Sequence, residues 1–153
     1  MSAPTVVIHT DGSCRKDNKG GWAATLRHGR DVLNICGDEA DTTNNRMELL
    51  AVIKALSILD VSCRVTLYTD SKYVCDGMNY LAYHWAKRGW KTKDGGAVKN
   101  KELWQQLLDL KKIHRVKARW VKGHAGHVEN EVVNSLAQAM SNDVITTGHF
   151  INV

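Results

Sequence analysis

The hydrophobic period of this chain turns from strand-like to helical near residue 43, after three strands in a row. That order restricts the fold more than any single residue does. Residues 5–10 (Thr-Val-Val-Ile-His-Thr) are a mostly β-branched run, suited to a pleated surface, and read as a strand. The run is expected to stop at Asp11-Gly12-Ser13, a turn signal. Residues 21–27 and 31–36 read as two more strands, joined by a turn at Gly29-Arg30, so the three form an antiparallel meander. Over residues 43–59, Leu49, Val52, Ile53 and Leu56 take the i, i+3, i+4, i+7 spacing of one helix face.

Residues 64–69 predict a fourth strand, and Ser71 caps a short helix reaching about Gly77. Further helices are expected over 80–88, over 100–112 (Leu103, Trp104, Leu107 and Leu108 on one face) and over 128–141. A fifth strand is expected at 115–121. A meander followed by helical crossovers predicts an α/β fold. Its five-stranded mixed sheet has a three-strand antiparallel meander plus two parallel strands, flanked by helices.

At 153 residues the chain is expected to be a single domain, 1–153, with room for a core that needs no disulfide or metal scaffold. No run of about 18 apolar residues occurs, so no membrane partner is expected. The opening Met-Ser-Ala-Pro-Thr lacks the basic and apolar regions of a secretory signal. Cys14, Cys36, Cys63 and Cys75 fit no metal-ligand spacing and read as reduced thiols of a cytoplasmic protein.

Two strands end in one short phrase, Thr10-Asp11-Gly12-Ser13 and Thr69-Asp70-Ser71. Both acids fall at the carboxyl ends of strands expected to be central, where open α/β sheets place ligands. Either acid alone is explained as a turn or cap residue. Glu48 shares its helix face with Ala51, Val52 and Ala55, a small apolar face that should pack on the sheet. A carboxylate there is costly unless it meets a cation. Three carboxylates at one sheet edge repel each other, and hard divalent cations with oxygen ligands resolve that repulsion. Mg2+ is the expected occupant. Two such ions about 4 Å apart suit in-line phosphoryl hydrolysis.

The chain resembles the type 1 ribonuclease H family in its bacterial ribonuclease HI form. The matching phrases are Thr10–Cys14, Thr42-Thr43-Asn44-Asn45-Arg46-Met47-Glu48-Leu49, Thr69–Val74, Arg88-Gly89-Trp90-Lys91-Thr92 and Trp120-Val121-Lys122-Gly123-His124-Ala125-Gly126-His127. The resemblance implies an endonuclease that cuts the RNA strand of RNA–DNA hybrids with Mg2+ (two ions with substrate, Mn2+ as substitute), acting as a monomer. It implies that Asp11, Glu48 and Asp70 are metal-binding catalytic acids and that His124 helps move protons or release product. The family carries a fourth metal-binding acid on the last helix. Here that position is Asn134, in Glu131-Val132-Val133-Asn134-Ser135-Leu136-Ala137. Asn keeps one carbonyl oxygen and loses the charge, so it ligates Mg2+ more weakly. Asn134 is either an introduced change that traps or silences the protein or a natural residue, with activity reduced or rescued by a neighbour such as Glu131. The alternative to an attenuated nuclease is a hybrid-binding module with little or no cleavage. Another rival is a DNA nuclease or resolvase of similar fold.

The net charge of +5 is unevenly placed: residues 72–122 carry +9 and the remainder −4. Lys87, Arg88, Lys91, Lys93, Lys99 and Lys101 interleave with Trp85 and Trp90. Basic residues among aromatics suit a phosphate backbone beside stackable surfaces, although core tryptophans on a solvated helix explain the pattern equally. By resemblance this segment, about 80–100, is the basic protrusion that grips the DNA strand, with Leu81 in place of a family Trp. Cys14, Asn44, Asn45 and Lys72 match family positions near the minor groove, where the RNA 2′-OH is read. Thr43 is a further expected contact, and both Thr43 and Asn44 also suit capping of the first helix. Asn18 lies in a turn that departs from the family pattern and carries no firm assignment.

Overall fold

The computed structural model describes residues 3–122 and Ala137. The strands are β1 (Thr5–Cys14), β2 (Gly20–His28), β3 (Asp31–Glu39), β4 (Arg64–Thr69) and β5 (Arg115–Trp120). They form one sheet in the order β3-β2-β1-β4-β5. The β1–β2 and β2–β3 pairs are antiparallel, and β1–β4 and β4–β5 are parallel, as the element order predicts. The helices are α1 (Asn44–Ser57), α2 (Lys72–Asp76), α3 (Ala82–Lys87) and α4 (Lys101–Ile113).

One sheet face is apolar. Val6, Ile8, Ala24, Leu26, Leu33, Ile35, Val65, Leu67 and Ala118 are buried with Met47, Leu49, Val52, Ile53 and Leu56 of α1. Trp104 of α4 is fully buried, edge-on to Tyr73 at 5.3 Å and to Trp85 at 5.7 Å between ring centroids. The other face is more polar, with the His9 and Tyr68 rings stacked at 4.9 Å. Ala137, in helical conformation, is buried with Ala23 and Cys36 of that face.

Three expectations change. First, β1 does not stop at Asp11. Its parallel pairing with β4 ends at Thr10↔Thr69, but the antiparallel ladder continues through Asp11↔Ala23, Gly12↔Trp22, Ser13↔Gly21 and Cys14↔Gly20. A turn-prone Asp-Gly-Ser is held extended because β2 goes on supplying backbone partners. Secondly, β3 runs past Cys36 to Glu39 for the same reason, since Gly37, Asp38 and Glu39 pair with Trp22, Gly21 and Gly20. Thirdly, 80–88 is not a separate helix. A π-turn at Gly77–Leu81 joins α2 to α3, with the Ala82 N–H donating to the Gly77 carbonyl. A Cβ on Gly77 would lie 2.0 Å from the Trp104 ring, so only glycine lets helix and indole approach this closely. Lys111 donates to the Met78 carbonyl within the widened turn. The expected helix over 128–141 lies outside the described residues.

Candidate active site

α1 begins where the sequence placed its cap. Thr43 has extended backbone, and its Oγ1 accepts from the Arg46 N–H at 3.1 Å. The Arg46 guanidinium reaches Glu39 at the end of β3 and Glu102 on α4, the latter at 3.1 Å. This clip ties the first turn of α1 to two other elements. Beneath it, a Cβ on Gly12 would lie 2.4 Å from the Glu48 nitrogen and 2.5 Å from the Met47 carbonyl carbon. The bare glycine lets β1 touch the α1 backbone, and that contact carries Glu48 to the strand that holds Asp11.

Asp11, Glu48 and Asp70 therefore meet. One carboxylate oxygen from each lies within 4.8 Å of the others. Asp11 is 3% exposed and Glu48 9%, while Asp70 is half-buried. Burial, and then repulsion from Asp70, pushes the Asp11 carboxyl up to about 7. Burial, then the charges of Asp11 and Asp70, pushes Glu48 well above the usual carboxylate range. Asp11 Oδ2 and Glu48 Oε2 are buried with no hydrogen-bond partner. Two orphaned carboxylate oxygens in one acidic cluster are the donor set of a hard cation, so these residues fit a divalent metal.

Around the acids, the Cys14 thiol donates to the Thr42 carbonyl at 3.4 Å. Thr43, Asn44 and Asn45 are exposed on the first turn of α1. Asn18 takes a left-handed backbone (φ 65°), and its carbonyl accepts from the Thr42 N–H at 2.9 Å, which docks the 15–19 turn beside that helix start. Lys72 is exposed two residues beyond Asp70, with its ammonium 4.9 Å from the centre of the Trp120 ring.

Lys87, Arg88 and Lys91 are exposed, and none pairs with a described carboxylate. Trp85 and Trp90 are half-buried and packed against the core. The rings thus anchor the protrusion, and the cations form its surface. A cleft of about 460 Å³ lies there, lined by Tyr80, Leu81, His84, Trp85, Arg88 and Lys93. His124 and Asn134 lie outside the described residues. Sequence reasoning left Gly12, Arg46 and Trp120 without a role. A glycine directly after a strand acid signals close backbone approach, but no local signal announces the other two: Arg46 joins Glu39 to Glu102, 56 residues away, and Trp120 reaches Asp70, 50 residues away.

The family model for RNase H matches residues 3–142. The ribonuclease H of Rhizobium johnstonii is 55% identical over 134 residues, covering 87% of this chain and 89% of the relative. That of Novosphingobium aromaticivorans is 53% identical over 133 residues, covering 86% and 93%. The crystal structure of LC9-RNase H1, described as a type 1 RNase H with the type 2 active-site motif, is similar with a TM-score of 0.86 and 35% identity. It covers 100% of this chain and 79% of that one. A match spanning most of the length, with the carboxylate cluster drawn from β1, α1 and the residue after β4, shows that the chain belongs to the ribonuclease H family.

Proposed function

We propose that this protein is an endonuclease that hydrolyses the RNA strand of RNA–DNA hybrids, with Mg2+ held by Asp11, Glu48, Asp70 and, more weakly, Asn134. The single observation that carries this reading is the buried carboxylate cluster with its two orphaned oxygens. Bound Mg2+ would make water a better nucleophile and stabilise charge on the leaving oxygen. The chain's own residues do the rest. Asp11 and Glu48, fixed by the β1–α1 contact, hold the donor oxygens in place and keep bulk water out. Asn44, Asn45 and Lys72 meet the RNA strand with donors suited to its 2′-OH and phosphates. Cys14 lines the same edge. Thr43 orders the turn that presents the two asparagines. Lys87, Arg88 and Lys91 grip the DNA strand through its phosphates, with Trp85 and Trp90 supporting them. His124 assists proton movement or product release.

Asn134 favours a second reading, a hybrid-binding module that cuts little. LC9-RNase H1, with its described type 2 motif on a type 1 fold, shows that the fold hosts more than one arrangement of site residues. The test is cleavage of an end-labelled hybrid in Mg2+, Mn2+ and EDTA, beside the Asn134→Asp variant and a DNA duplex control. The expected result is metal-dependent cutting of the RNA strand alone, at a rate that Asn134→Asp raises. Tight hybrid binding without cutting supports the module reading, and an unchanged rate for the variant removes residue 134 from the metal site. We place the protein in the cytoplasm as a single-domain monomer, consistent with four free thiols and with no described helix long and apolar enough to cross a membrane.

A further inference from the structure

Of the three clustered acids, Asp70 is the least buried and has the least support from regular structure. The β4–β5 ladder ends at Thr69↔Trp120, and the Val121 N–H closes it on the Thr69 carbonyl at 2.8 Å. The Asp70 carbonyl is thus one position beyond the last ladder bond. The Trp120 indole Nε1–H reaches across and donates to it at 3.0 Å. On the same peptide unit, the Ser71 N–H donates to Thr69 Oγ1 at 3.0 Å. The peptide joining Asp70 to Ser71 is therefore held at both its polar atoms, which fixes the backbone torsion that aims the Asp70 side chain.

One carboxyl oxygen from each of Asp70, Asp11 and Glu48 lies within 4.8 Å of the others, and an unanchored corner between β4 and α2 would be free to move outward and separate them. Trp120 is 44% exposed, too open to be explained as a core residue. The Lys72 ammonium lies 4.9 Å from the centre of its ring, so one side chain holds the acid's main chain and a neighbouring cation.

We propose that Trp120 is a positioning residue for the ribonuclease reaction: its indole N–H fixes the Asp70–Ser71 peptide and so the aim of the Asp70 carboxylate, while its ring carries Lys72 beside the same corner. This rests on Asp70 being a metal-holding acid.

The test compares Trp120→Phe, which keeps a ring but loses the donor, with Lys72→Met, which keeps the indole bond. Mg2+ affinity is measured by calorimetry on the protein alone, and kcat and KM for hybrid are measured across Mg2+ concentrations. Trp120→Phe is expected to weaken Mg2+ binding roughly three- to tenfold, the range of one hydrogen bond's net worth. Its kcat should recover at high Mg2+ and its KM should stay put. Lys72→Met is expected to raise KM and leave Mg2+ affinity alone. In the unmodified protein, the indole N–H resonance that Trp120→Phe deletes should shift when Mg2+ is added. Wild-type Mg2+ affinity in Trp120→Phe, or a raised KM with intact Mg2+ affinity, would overturn the proposal. If that variant fails to fold, an indole resonance indifferent to Mg2+ in the unmodified protein overturns it equally. Failure of the unmodified protein to cut hybrid counts instead against the nuclease reading, because the calorimetric and indole readouts need no cleavage.

Discussion

Replacing Asp11 with Asn should stabilise the metal-free protein, by an amount that grows with pH. The Asp11 carboxyl is buried beside two other acids, and its pKa rises from 3.8 to about 7. A folded-state value above the unfolded one means that the native state holds the proton more tightly. The carboxyl therefore costs nothing below about pH 4. It then costs about 1.4 kcal/mol for each pH unit up to about 7. The full penalty at pH 8 is about 4 kcal/mol by that slope, and about 2 kcal/mol if Glu48 takes up half of the shared proton. Asn fills the same volume without charge, and its amide can donate to Glu48 Oε2, which has no partner. Urea unfolding in EDTA at pH 4, 6 and 8 measures the difference between variant and parent. The gap should be small at pH 4, widen through pH 6, and narrow again when Mg2+ is added to the parent, because an ion bound only to the native cluster stabilises it by mass action. A gap that does not change with pH, or a variant less stable than its parent at pH 8, would refute the reasoning.

Gly77→Ala places a methyl against the buried Trp104 ring, and should lower stability by about 1–3 kcal/mol, read as a fall in melting temperature. Thr43→Ala removes the cap of α1 and should cost about 1 kcal/mol in urea unfolding, and an unchanged KM for hybrid would assign Thr43 to capping alone. Neutralising Lys87, Arg88 and Lys91 together should flatten the plot of log affinity against log salt by about 2–3 units, at roughly 0.9 per lost phosphate contact. An unaltered slope would take the protrusion out of the interface.

Strand and helix periods alone placed most elements within a few residues of where they lie, because each element buries one face and that face must recur at the element's own period. The errors fall where a partner overrides local preference. Asp11-Gly12-Ser13 is turn-forming by composition but is held extended by β2, and the π-turn begins at Gly77, which packs against the Trp104 ring from a distant helix. The acids were legible as types in suspicious places, and the family likeness joined them. Trp85 and Trp90 were open to two readings on sequence. Their packing against the core settles where the rings sit, because interleaved aromatics and cations look alike whichever way the rings point.

The chain by itself determined its element order, hence the mixed sheet, and the identities of three acids at the ends or first turns of those elements. It also determined the split of charge into a basic middle and an acidic remainder. Only the tertiary structure decided that three carboxylates 37 and 22 residues apart share a space 4.8 Å across, that two of their oxygens have no partner, and that an indole 50 residues away bonds the Asp70 carbonyl. The physical reason is that periodicity reports which face of an element is buried, while distances between elements depend on side-chain contacts across them. Here the critical contact is the missing Cβ of Gly12 against the backbone of α1.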